Sequence, residues 1–233
     1  MSGISTETPP SSTSPSDARA DALRGFGPIG LLAIVVVLSG TLVSPVAAAL
    51  LALGWARLSR TPLAELGFVR PKSWAFDVVV GTLLGAGLKL MMKAVVMPLL
   101  GAPQNNPRYA FLAGDPVAVA WMVVVIFVVA GFGEETLNRG YLFERLRRLL
   151  GDGVAARVLI VTATTLLFGI SHYADQGMPG VQQATIVGAV YGALYAITRR
   201  IGLVMIVHVV FDLVAVWIIY ARLETTVARW VFR

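Results

Sequence analysis

Residues 116–150 read PVAVAWMVVVIFVVAGFGEETLNRGYLFERLRRLL, and this stretch decides the class of the fold. It is strongly apolar as far as Ala130, a composition suited to lipid rather than to a half-exposed soluble helix. It then passes Gly131 and Gly133 into Glu134, Glu135 and Arg139, and ends in an amphipathic run carrying Arg145, Arg147 and Arg148. An ionisable side chain in mid-membrane costs at least about 2.5–3.5 kcal/mol on insertion scales. Such groups persist where they are paired, face water or perform a function.

The rest of the chain has the same character. Hydrophobic residues make up 57% of the 233 and charged residues 14%, well below the roughly one quarter usual in soluble domains. Further apolar blocks run over about 27–55, 74–100, 154–172, 181–198 and 202–220. A span needs about 20 such residues, so the expected fold is all-α: a polytopic transmembrane helical bundle of about six spans. The first block is long and contains Pro45, and it reads as one tilted or kinked helix. The segment from Tyr173 to Gly180 reads as a polar loop. Two units are expected: a disordered tail over 1–26, rich in Ser, Thr, Pro and Asp, and a membrane domain over 27–233. The tail has no short apolar core behind a basic start, so it does not read as a signal peptide.

The net charge of +6 sits mostly in short connections, where it reads as a topology signal and not as a nucleic-acid footprint. Arg57, Arg60, Arg70 and Lys72 share a side with Arg145, Arg147 and Arg148 and with Arg199 and Arg200 if there are six spans. The positive-inside rule then puts the N-terminus outside, and a hairpin in the first block would reverse the N-terminus alone. The absence of cysteine excludes a thiol nucleophile and thiolate metal sites.

Both histidines of the chain, His172 and His208, lie in or at the end of apolar blocks. Glu135 and Arg139 are four residues apart, as are Phe168 and His172, and His208 and Asp212, so each pair shares a helix face. Glu134 and His172 are each 19 residues from Gly153. An antiparallel hairpin turning there would bring them level, and His208 on the last block could join them.

These residues match three motifs of the CPBP family of intramembrane proteases, which groups CAAX-processing and bacteriocin-processing members. The EExxxR motif corresponds to Glu134-Glu135-Thr136-Leu137-Asn138-Arg139, FxxxH to Phe168 through His172, and the third to His208 through Asp212. The resemblance covers about Leu63 to Trp217. It implies an intramembrane endopeptidase that uses a water activated by glutamate and histidine. Glu134, His172, His208 and Asp212 would be catalytic, with Glu135, Arg139 and Phe168 in support. Where members of the family have Asn, this chain has Asp212, whose ionised carboxylate cannot donate a hydrogen bond to an oxyanion. No cofactor is required on this reading. If zinc is used, Glu134, His172 and His208 are its ligands.

The expected partners are the lipid bilayer and a membrane-associated peptide or protein, with the plasma membrane of a bacterium as the expected location. Bacteriocin immunity is one role that fits. A non-catalytic membrane scaffold or immunity protein and a proton-coupled transporter stay open as rivals. Glu135 with Arg139 reads foremost as a self-neutralising structural pair. Lys89 and Lys93 read foremost as snorkelling to the interface, with a substrate carboxylate as the sharper alternative.

Overall fold

Serine and aspartate caps followed by proline start many of the helices. In the computed structural model, which describes residues 14–232, Ser14 caps α1 (Pro15–Arg24) by accepting from the Asp17 amide. Helix α2 (Pro28–Ser39) also opens on proline, and Ser44 caps α3 (Pro45–Leu58) by accepting from Ala47. The fixed φ of proline suits the first helical position, where its missing N–H is no loss. Helices α4 (Trp74–Leu99) and α5 (Pro116–Leu150) follow, α5 capped by Asp115, which accepts from Val117 and Ala118. After them come α6 (Val154–Ser171), α7 (Tyr173–Thr198), α8 (Ile201–Tyr220) and the short α9 (Glu224–Ala228). Among the described residues there is no strand.

Four helices, α4, α5, α6 and α8, are long and apolar enough to cross a membrane. The count rises to five if α1 and α2, bent by 59° at their junction, form one span with the 3₁₀ turn that follows. Leu83, Trp121, Phe127, Leu166 and Ile170 are more than half exposed on these helices, as lipid contact requires.

The first apolar block departs from expectation. It is a hairpin of two short helices joined by a 3₁₀ turn at Gly40–Leu42, not one kinked helix. Val37 of α2 packs on Ala48 and Ala52 of α3. At the turn, a Cβ on Gly40 would stand 2.7 Å from the Ala48 Cα, so this approach needs glycine. At the open end, the Trp55 indole donates to the Leu23 carbonyl at 3.0 Å. Pro45 does not kink a continuous helix here; it starts a new one behind a Ser cap.

That hairpin moves the N-terminus. Helix α1 lies beside the basic connections: Arg24 pairs with Glu65 at 3.0 Å, Arg60 with Asp17, and Arg145 donates to the carbonyls of Arg24 and Gly25 at 2.7 and 2.8 Å. The N-terminal helix is therefore on the same side as the basic connections, the reverse of the one-span reading. The expected tail is also shorter as a structureless segment, because Pro15–Arg24 is helical and held by these contacts. The part of the expected tail over 1–13 lies outside the described residues.

The expected polar loop after His172 is helical as well. It forms the first turns of α7, kinked at Gly177, whose φ of 61° is a conformation glycine adopts without strain. Asp175 at the start of α7 pairs with Arg108 at 2.9 Å, which ties the α6–α7 junction to the 100–115 connection.

Small residues set the helix spacing, as is usual in membrane bundles. Gly81 meets Ile206 and Gly85 meets Val207 and Val210, so α4 and α8 run parallel in contact. Gly169 meets Thr185 and Gly192 meets Val161, so α6 and α7 run antiparallel. Met92, Ile160, Tyr191, Tyr195, Val207 and Phe211 form the core between them.

Candidate active site

Helix α5 supplies the glutamates from a stretch of unusual winding. Its hydrogen bonding is π-helical over Ile126–Glu134 and Thr136–Leu142, a local widening often associated with functional sites. Gly133 lets the tip of the α2–α3 hairpin approach: a Cβ there would be 3.0 Å from the Pro45 carbonyl carbon. The hairpin thus backs the segment that carries Glu134 and Glu135.

Glu135 and Arg139 are 0% and 1% exposed, and Arg139 Nη1 donates to Glu135 Oε1 at 3.0 Å. Arg139 Nη2 donates to the Gly188 carbonyl at 3.1 Å, and the guanidinium lies 4.7 Å from the Phe168 ring centre and 5.4 Å from that of Tyr191. A buried guanidinium needs such compensation, because an unpaired charge in low dielectric is costly. Phe168 also packs edge-on to His172 at 4.7 Å and to His208 at 6.0 Å, so it touches three polar members of the constellation.

Each imidazole is fixed through Nδ1. His208 Nδ1 stands 2.7 Å from Glu135 Oε1, and a carboxylate only accepts, so the Nδ1 proton is on the ring. His172, the C-cap of α6, has Nδ1 2.7 Å from the Phe168 carbonyl, which dictates the same tautomer. Both rings therefore keep Nε2 for other partners. His208 Nε2 lies 3.6 Å from Asp212 and 4.0 Å from Glu134, beyond direct hydrogen bonds to either.

Glu134, His172, His208 and Asp212 line one cavity of about 930 Å³, with Asn138 beside them. Glu135 and Arg139 do not line it; they lie behind His208. Residues given catalytic roles by resemblance thus face a common space, and two of the supporting ones sit behind it. The equal spacing of Glu134 and His172 from Gly153 corresponds to this common space, although π-helical winding replaces the ideal helix assumed for α5. Among the described residues, no group of three or more His, Asp or Glu side chains is placed to hold a metal ion.

Some neighbours escape sequence reasoning. Asn138 donates to the Glu134 carbonyl at 2.9 Å, and its place one turn beyond Glu134 was the available signal. The Tyr191 ring packs 4.9 Å from His208, but nothing in an apolar block marks one tyrosine over another. Lys89 is only 8% exposed and lines the cavity, so it does not snorkel to an interface.

Comparison with known families brings a match over residues 116–214 to the model described as type II CAAX prenyl endopeptidase Rce1-like. Searches of curated proteins and of solved structures gave no match. The matched stretch starts at the first residue of α5 and ends two residues after Asp212, so it contains all three motifs and every residue that fixes the two imidazoles. Over residues 116–214 the chain is thus similar to the Rce1-like CAAX proteases.

Proposed function

We propose that this membrane endopeptidase hydrolyses a peptide bond of a membrane-associated peptide or protein with a water activated by Glu134. The observation that carries the reading is the pair of imidazoles pinned through Nδ1, with both Nε2 atoms left over in the cavity that Glu134 lines. Fixed orientation is what a catalytic imidazole needs, since a buried hydrogen-bond partner selects its tautomer and holds the ring.

In this mechanism Glu134 takes a proton from the water as the oxygen attacks the scissile carbonyl carbon. The Nε2 atom of His172 accepts a hydrogen bond from the same water. Protonated His208 donates through Nε2 to the carbonyl oxygen as it becomes an oxyanion. Collapse of the tetrahedral intermediate breaks the C–N bond, and Glu134 returns its proton to the leaving amine. Asp212 acts by orienting His208 from one helical turn away. Glu135 and Arg139 hold the Nδ1 side rigid. Protein groups and water suffice for these steps, and no metal or other cofactor is part of the proposal. The proposed location is the plasma membrane of a bacterium, where substrates include secreted peptides and membrane proteins, and bacteriocin immunity is one such use.

The test is comparative terminal proteomics on membranes holding wild type or Glu134→Ala at matched abundance. New peptide termini are expected with wild type alone, and they persist when membranes are treated with EDTA. Identical termini in both strains would overturn the reading, as a non-catalytic scaffold has no need of that carboxylate.

A further inference from the structure

The two ends of the cavity differ in kind. Pro103, Asn105, Pro107, Arg108 and Asp175 line it at the 100–115 connection and the start of α7, and all five are exposed. Polar lining continues inward from that end. Arg108 pairs with Asp175 at 2.9 Å, Lys93 with Glu224 at 3.3 Å, and Gln176 Nε2 donates to the Tyr109 hydroxyl at 3.3 Å. Polar groups at membrane depth are tolerated where they border a water-filled space. Along the sides the exposed lining residues Leu38, Val125 and Leu167 are apolar, as lipid contact requires, and the Thr41 hydroxyl is turned to the Leu38 carbonyl at 2.7 Å.

The opposite end is closed. There the lining runs out in Leu137, Asn138 and Leu142. Beyond them Leu66, Tyr141, Phe143, Tyr195 and Ile201 form a packed layer, none of them more than 1% exposed, with Phe143 edge-on to Tyr195 at 4.9 Å. Depth alone would suggest access from this end. His208 is seven residues from Ile201, about 10 Å along α8, and twelve from Tyr220 at the open end, about 18 Å. Packing reverses that choice, because hydrolysis consumes a water for each bond and the path that can carry water is the longer one. Charge then assigns the two faces. Arg145, Arg147, Arg148, Arg199 and Arg200 lie at the closed end, and α1 adds Arg19 and Arg24. The connections at the open end hold Arg108, Arg222 and Arg229 among the described residues. The excess of arginine makes the closed end cytoplasmic.

We propose that the site is served from the outer face of the membrane, so that its substrates are exported peptides and the outer segments of membrane proteins, not cytoplasmic chains. An extended chain advances about 3.3–3.6 Å per residue, so about five unfolded residues reach from the open end to His208. The substrate class rests on the peptidase reading; the side of access does not. Access is tested on the full chain, which has no cysteine of its own, with Ala215→Cys and, as a second variant on another helix, Ala184→Cys. Both positions line the cavity and neither has a role in the proposed chemistry. The probe is a small impermeant cationic methanethiosulfonate, applied to spheroplasts or to inverted membrane vesicles, and its reaction is read as loss of later maleimide labelling in denaturant. Asn105→Cys and Lys72→Cys mark the open-end and closed-end faces. Ala215→Cys, Ala184→Cys and Asn105→Cys should be modified in spheroplasts and spared in inverted vesicles, and Lys72→Cys should behave in the opposite way. Modification of the cavity cysteines from the inner face or from both faces, no modification of either from any face, or modification of Lys72→Cys in spheroplasts would overturn the proposal. Peptide termini that depend on Glu134 should map to exported peptides and outer segments, and their location in cytoplasmic segments would overturn the substrate class. Outer access without any Glu134-dependent termini would sink the peptidase reading and leave the side of access standing.

Discussion

The Glu135–Arg139 pair is a sharp test of how the site is held together. Both side chains are essentially inaccessible, they meet at 3.0 Å, and Glu135 also accepts from His208 at 2.7 Å. Arg139→Met leaves the Glu135 carboxylate buried with one partner in place of two. Removing one member of a buried ion pair costs about 3–5 kcal/mol. Glu135→Gln keeps the shape and an acceptor for each donor but takes the anion away from the Arg139 guanidinium, a loss of about 1.5–3 kcal/mol. The double variant buries no unpaired charge at this position, and the oxygen of the introduced side-chain amide still accepts from His208. Its cost should therefore stay near that of Arg139→Met alone, about 2 kcal/mol less than the two single costs taken together. The assay is equilibrium unfolding in mixed SDS and dodecyl maltoside micelles followed by tryptophan fluorescence. Trp55 is a built-in reporter, because it packs edge-on to Tyr141 of α5 at 5.0 Å. Additivity within about 0.5 kcal/mol would refute the reasoning, since residues that do not couple behave that way. Because the Glu135 carboxylate stabilises the His208 imidazolium that the proposed mechanism uses, Glu135→Gln should also lower peptidase turnover by at least about 100-fold with a smaller change in KM, by analogy with loss of the carboxylate partner in other imidazole-based sites.

Other perturbations probe other parts of the structure. Asp212→Asn should retain at least wild-type turnover, since an amide both orients His208 and donates to the oxyanion, whereas Asp212→Ala should lose about 100-fold or more; an inactive Asn variant would argue against the orienting role. The chain has no cysteine, so single-cysteine variants report topology cleanly. Ser16→Cys and Lys72→Cys should be labelled by an impermeant maleimide from one face of sealed vesicles and Asn105→Cys from the other; opposite labelling of the first two would disprove the α2–α3 hairpin. Gly169→Ala puts a Cβ 2.1 Å from Thr185 Oγ1 and should destabilise by about 1–3 kcal/mol, with partial rescue by Thr185→Ala. A neutral Gly169→Ala would mean that α6 and α7 are not packed at this contact.

Much of the architecture was legible in the chain because the bilayer imposes simple rules. Long apolar blocks must be helices, since no other open structure satisfies its backbone in lipid, and ionisable residues inside them mark a site by their cost alone. Glu134, Glu135, Arg139, His172, His208 and Asp212 could all be picked out that way, and their four-residue spacings fixed which of them share a face. The sequence alone also determined that basic residues gather in particular connections.

Only the tertiary structure decided where the first block turns, and with it the side on which α1 lies. Hydropathy measures transfer energy but is blind to direction, so a block of that length reads alike as one tilted helix or as two short ones folded at Pro45. The contacts of Gly40 with Ala48 and of Trp55 with Leu23 are long-range in the chain and have no local signature. The same holds for the division of labour among the glutamates. Glu134 and Glu135 are neighbours of identical chemistry, and only packing turns one into the cavity and the other against Arg139 and His208. Lys89 is the clearest case. Its sequence context suits a side chain reaching for the interface, and the close approach of α4 to α8 at Gly85 is what confines it beside Gln183 and Phe211.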